Sequence, residues 1–239
     1  MSKYIFHPAN ERGSSNYEWL QSRHSFSFGS YFNPKQVHFG ALRVLNDDIV
    51  APGMGFDMHP HDNMEIISIP LSGSLAHRDS MGNSGIIKSG DIQVMSAGTG
   101  VRHSEYNASK DEEVRFLQIW LFPNKRNVAP RYDQLSLDAA GRKNTFQQIL
   151  SPHADDEGVW IHQNAWFHLS DLDKGTELSY PLKDASNGLY IFNLKGKVNI
   201  ESETLQDRDA IGIWEIDNAS VSVKAIENAS LLLMEVPMA

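Results

Sequence analysis

Two pairs of side chains with equal spacing could share one metal ion. His59 and His61 are separated by one residue, and so are His103 and Glu105. On an extended strand, residues i and i+2 face the same side, so each pair can aim both members at one point. Two such pairs on neighbouring strands present three imidazoles and a carboxylate, a donor set for Fe(II), Mn, Ni, Co, Cu or Zn. Donors gathered on one side of an ion leave positions open for substrate or oxygen, as metal catalysis requires. Glu65, four residues after His61, competes for the carboxylate role. Four extended steps cover roughly 13 Å, so Glu65 needs a chain that bends back, whereas Glu105 does not. The chain has no cysteine, which excludes disulfides, thiolate ligation and Cys nucleophiles.

Glycine punctuation strengthens an H-x-H pair that would be incidental alone. The first pair sits in G-x5-H-x-H-x3-E-x7-G from Gly53 to Gly73, and the second in G-x5-S-x-G-x-G-x2-H-x-E-x-N from Gly90 to Asn107. Glycine at strand ends lets a barrel turn its corners. Around these motifs lie short apolar runs at 39–45, 66–71, 91–95 and 114–122, each flanked by Asn, Asp, Ser, Gly or Pro. The stretch 79–85 reads as a loop. Residues 123–134 (PNKRNVAPRYDQ) read as a linker, and strand grammar returns at 158–163, 165–169, 188–194, 197–200, 210–216, 220–226 and 230–236. Gly73 and Gly90 are echoed by Gly196 and Gly212 at nearly the same separation. The expectation is an all-β chain of two tandem barrels: residues 1–125 with the metal site, a linker at 126–145, and 146–239 as a metal-free scaffold.

The remaining candidates read as structural. His77 is a strand-end polar group, and His7, His24, His38, His153, His162 and His168 lack a ligand-spaced partner. Ser104 points away from His103 on a strand, which rules out a triad, and Gly98-Thr99-Gly100 has neither the Lys nor the helix of a phosphate loop. Trp19, Trp120, Trp160, Trp166 and Trp214 read as core. Phe56, Met58, Met64, Met95 and Trp120, near the ligands in sequence, suit either a greasy pocket or barrel packing. The formal charge is −9, from 21 basic and 30 acidic residues, spread over both halves without a basic cluster, so direct nucleic-acid binding is not expected. No apolar leader or stretch of membrane-spanning length is visible. A cytoplasmic monomer is the expectation.

The joint glycine and histidine pattern resembles the cupin superfamily, departing from its usual second motif at Ser96 and Gly100. The run HPHDNMEI, HRDSMGN, MSAGTGVRHSEYN and PRYDQ, preceded by ANERG (9–13), HSFSFGSYF (24–32) and ALRVLNDD (41–48), resembles the pirin family, bacterial type. This resemblance implies a fold of two tandem cupin (jelly-roll-like) barrels. It also implies one divalent transition metal, iron first, on His59, His61, His103 and Glu105, with Glu65 left structural. The activity it implies is quercetin 2,3-dioxygenation: O2 opens a flavonol ring or related enol and releases carbon monoxide and a depside. Glu105 would be the catalytic carboxylate, loosening from the metal to take the substrate proton. Partners would be a small aromatic substrate and O2. Some eukaryotic pirins are instead transcriptional co-regulators, so a metal-binding protein that docks a protein partner without turnover is the alternative.

Overall fold

The computed structural model describes residues 2–238. Each half of the chain builds a seven-stranded sheet facing a four-stranded one. In the first barrel the large sheet runs Arg131–Ser136, Asp91–Ser96, Glu65–Ser72, Val114–Leu121, Leu42–Val50, Leu20–His24 and Gly13–Asn16. The small sheet runs Gly55–His61, Val101–Asn107, Ser74–Asp79 and Ser84–Lys88. Every pairing in both sheets is antiparallel. The strand Val101–Asn107 shows why its sequence folds this way: Val101, His103, Glu105 and Asn107 are buried, while Arg102 is exposed and Ser104 and Tyr106 are partly so.

The second barrel repeats the order. Its large sheet is Lys3–His7, Ala210–Trp214, Asn187–Lys195, Ala229–Pro237, Trp166–Leu172, Gln147–Ser151 and Val159–Trp160; its small sheet is Glu177–Pro181, Ser220–Ala225, Val198–Ile200 and Glu203–Leu205. One hydrophobic core spans both halves, joining Leu45, Ile67, Leu117 and Ile119 of the first large sheet to Phe167, Phe192, Leu232 and Met234 of the second. Both large sheets are therefore covered on two faces. That is why Glu65–Ser72 and Asn187–Lys195 carry unbroken buried runs rather than alternation.

The edge strands are exchanged. Lys3–His7, which precedes the first barrel, pairs with Ala210–Trp214 of the second. Arg131–Ser136, which follows the first barrel's last central strand, pairs with Asp91–Ser96. The chain read as a linker over 123–134 thus carries an edge strand. Its two prolines precede the strand, and inside it Tyr132 stacks on His77 (ring centroids 4.9 Å apart) while the Arg131 guanidinium lies 3.9 Å from the Trp160 ring centroid. The stretch read as a loop over 79–85 is a tight turn at 80–83 between the strands Ser74–Asp79 and Ser84–Lys88. Asp79 builds that turn by accepting from the Met81 and Asn83 amides.

Candidate metal centre

Adjacent strands of the small sheet carry the two sequence pairs. His103 lies directly across from His59, and Val101 across from His61. Gly55 permits this approach, because a Cβ there would sit 2.3 Å from the Glu105 carbonyl oxygen. Gly98, at φ +50°, presses against the Val128 carbonyl and starts the turn that leads into the His103 strand.

His59, His61 and His103 converge, each offering a ring nitrogen within 4.8 Å of the others. Nδ1 of His59 lies 2.7 Å from the Asp57 carbonyl. An Nδ1–H donated there leaves Nε2 as the free ligand atom. Nε2 of His61 and Nε2 of His103 lie 3.1 Å apart. Two nitrogens each about 2.1 Å from a shared cation and at right angles lie roughly 3.0 Å from one another. Burial first, then the neighbouring imidazoles, pushes both His61 and His103 down to about 3. They are held in the neutral form that binds metals, so the donor set fits a divalent transition ion.

Glu105 stands beside this trio rather than within it. The pairing of its strand with Gly55–His61 shifts register between His103 and Glu105, and this irregularity re-aims the carboxylate. Ser68 Oγ donates to one oxygen at 2.8 Å and Gln118 Nε2 to the other at 2.7 Å. Burial raises the Glu105 pKa, opposed by the Ser68 bond, by His77 and His59, and by Gln118. Glu65 points elsewhere: it accepts from Ser96 Oγ at 2.6 Å, and its carboxyl feels the His162 backbone and Arg131 across the seam. His77 is an inward-facing residue of mid-barrel, with its ring 5.5 Å from that of His103 and both nitrogens without a partner among the described residues.

A cavity of about 370 Å³ opens onto His59, His61 and Glu105. Its walls include Tyr17, Trp19, Phe28, Phe56 and Trp120, with Ser22, His24, Asn46, Asp48 and Gln118 along one side. The Trp120 and His61 rings pack edge-to-face, 4.9 Å between centroids. Of the residues near the ligands in sequence, Phe56 and Trp120 line this cavity, Met95 is fully buried in the barrel, and Met58 is exposed.

The profile described as Pirin matches residues 6–121, and that of the quercetinase C-terminal cupin domain matches residues 148–236. The quercetin 2,3-dioxygenase of Escherichia coli (strain K12) is 40% identical over 229 residues, 96% of either chain. The chain belongs to the pirin family. A pirin-like protein of Caulobacter vibrioides is 37% identical over 95% of this chain and 97% of its own. The crystal structure of the bacterial pirin YhhW of Escherichia coli in complex with nickel(II) superposes with a TM-score of 0.92, at 37% identity, over 99% of this chain and 100% of that one.

In this pirin the motifs outside the two histidine pairs acquire a place. HSFSFGSYF supplies His24 and Phe28, and LNDD supplies Asn46 and Asp48, all to the cavity wall. Sequence reasoning missed His24, which has no ligand-spaced partner. Its local sequence carries no such signal; register puts it there, opposite Asn46. Among the described residues no helix is long and apolar enough to cross a membrane.

Proposed function

We propose that the protein is a metal-dependent dioxygenase of the quercetin 2,3-dioxygenase type, opening a flavonol or related enol ring with O2. The supporting observation is the aromatic-walled cavity that ends on His59, His61 and Glu105. Its size is in the range of small-molecule sites. His59, His61 and His103 would hold the ion, with Glu105 as the fourth donor or close neighbour. When bound, a divalent ion supplies a Lewis acid for the enol oxygen and eases its oxidation by O2. Trp19, Phe28, Phe56 and Trp120 offer flat apolar surfaces that orient a planar ring and exclude water. Glu105 takes the enol proton onto a carboxylate oxygen, while Ser68 and Gln118 fix the direction of its lone pairs.

Iron(II) is the ion we put first; manganese, nickel, cobalt, copper and zinc suit the same donors. The cytoplasm and a single chain complete this reading, and the acid-rich composition supports leaving nucleic acid out of it. An oxygen electrode tests it. Metal-loaded protein consumes O2 with quercetin, and His59→Ala, folded by circular dichroism, does not. No uptake with any of Fe, Mn, Co, Ni or Cu overturns the reading in favour of a non-catalytic metal-binding role.

A further inference from the structure

The cavity lining is of two kinds. Tyr17, Trp19, Phe28, Phe56 and Trp120 are aromatic; Ser22, His24, Asn46, Asp48 and Gln118 form a polar strip on the inner face of the large sheet. The strip is built by register: Ser22 lies opposite Asp48, His24 opposite Asn46, and Asn46 opposite Gln118. Most of its members are already committed. His24 Nε2 meets Ser15 Oγ at 2.9 Å and its Nδ1 meets Asn46 Oδ1 at 2.9 Å. Gln118 is spent on Glu105.

Asp48 differs. It is only 3% exposed, yet no Lys or Arg pairs with it among the described residues. Its one hydrogen bond comes from Ser22 Oγ to Oδ1, which leaves Oδ2 without a partner at the cavity wall. A carboxyl taken out of water without a cation or a full set of donors costs stability, and natural interiors keep few of them. A ligand atom that completes the set accounts for the arrangement. A phenolic hydroxyl suits it in either protonation state, since it donates to a carboxylate and accepts from a carboxylic acid.

We propose that Asp48, steered by Ser22, is a specificity-determining subsite that binds a ring hydroxyl of the substrate other than the one at its metal-binding edge. The proposal rests on the flavonol reading of the cavity. The site then selects polyhydroxylated aromatic enols over bare ones, because a buried polar group left unpaired penalises the analogue lacking the hydroxyl.

The test compares two ligands on nickel(II)-loaded protein without oxygen, by titrating the ligand absorbance. Quercetin carries hydroxyls on both outer rings; 3-hydroxyflavone keeps only the metal-binding edge. The wild type prefers quercetin by about tenfold or more, the worth of one hydrogen bond to a charged or buried partner. Asp48→Leu removes most of that preference by weakening quercetin about tenfold while 3-hydroxyflavone stays within about twofold. Should Asp48→Leu not fold, Asp48→Asn keeps the shape and reduces the preference by roughly threefold. A merely structural Asp48 would move both ligands together, and an unchanged preference or equal losses overturn the subsite. If the wild type binds neither ligand, the flavonol reading falls and the subsite with it; if it binds both and the ratio does not move, only the subsite falls.

Discussion

The two barrels share a strand order and differ in what they enclose. Inside the second, Leu189, Ile191, Ile211, Ile213, Val221, Val223, Leu231 and Leu233 belong to one continuous core. Inside the first, the apolar residues split into two small groups, one around Leu75, Ile87 and Phe116 and the other around Ile66, Met95 and Val101. Between them a polar row crosses the large sheet, rung by rung: His24 opposite Asn46, then Gln118, Ser68, Gln93 and Gln134. The buried carboxylates make the same contrast. Glu235 accepts from Tyr180 Oη, the Lys183 and Asp184 amides and Asn187 Nδ2, a fully occupied set. Glu105 accepts from two donors and faces a cavity. A saturated buried carboxylate holds structure together; one with free lone pairs beside a ligand cluster is placed for chemistry.

This contrast can be broken most forcefully at His103. His103→Ala removes one of the three imidazoles, and the expected outcome is a loss of more than about a hundredfold in metal affinity, measured by equilibrium dialysis, with native circular dichroism retained. The shared core and the second barrel do not touch the site, which is why the fold survives. The converse experiment is Leu233→Ala, opposite Ile191 in the second barrel. It is expected to cost about 2–5 kcal/mol in urea denaturation, while metal bound per folded molecule is unchanged. If Leu233→Ala instead strips the metal, the second barrel is part of the site and the division of labour proposed for the two halves fails.

How much of this was legible beforehand follows the same division. The H-x-H and H-S-E pairs were readable because strand periodicity is a local rule and both pairs obey it. The all-β class was readable from short runs with turn residues between them. The exchanged edge strands were not, because Lys3–His7 and Arg131–Ser136 are short segments without clear alternation, whose partners are chosen by which sheet edge they reach. The polar row was also hidden: Asn46, Ser68, Gln93 and Gln118 are ordinary residues in separate strands, and only register lines them up. His77 looked like a strand-end group because Arg78 and Asp79 follow it, yet alternation turns it inward between His103 and Tyr132.

Gln118 sharpens the comparison at the carboxylate itself. Its amide fixes one Glu105 oxygen at 2.7 Å, while Ser68 fixes the other. Gln118→Leu keeps the volume and removes the donor. The expected effect is a tenfold to roughly hundredfold drop in metal affinity or oxygen uptake, the usual size for a group that orients a ligand. Glu235 offers the control: replacing one of its several donors, with Asn187→Leu, lowers stability and leaves metal affinity alone.

The smallest effect is a difference in how the halves respond to acid. His168 is buried in the second barrel against Tyr180, with Glu235 and Lys183 nearby, and burial, then Lys183, pushes its pKa down to about 4. The unfolded chain titrates this group near 6.5. Between these values the unfolded state binds the proton more readily, so the His168 contribution is complete above pH 6.5 and is lost as pH falls toward 4. By pH 5.5 the loss is on the order of 1 kcal/mol. Asp48 in the first barrel has the opposite sign: burial raises it to about 7, so its contribution is complete below pH 3.8 and is lost as pH rises through 7. Stability measured by urea denaturation from pH 4 to pH 8 separates the two. Relative to wild type, His168→Gln gains ground at the acid end and Asp48→Asn at the neutral end. A His168→Gln curve parallel to wild type would mean that the ring takes up its proton in the folded barrel as readily as in the unfolded chain, and that burial in the closed second barrel does not hold it neutral.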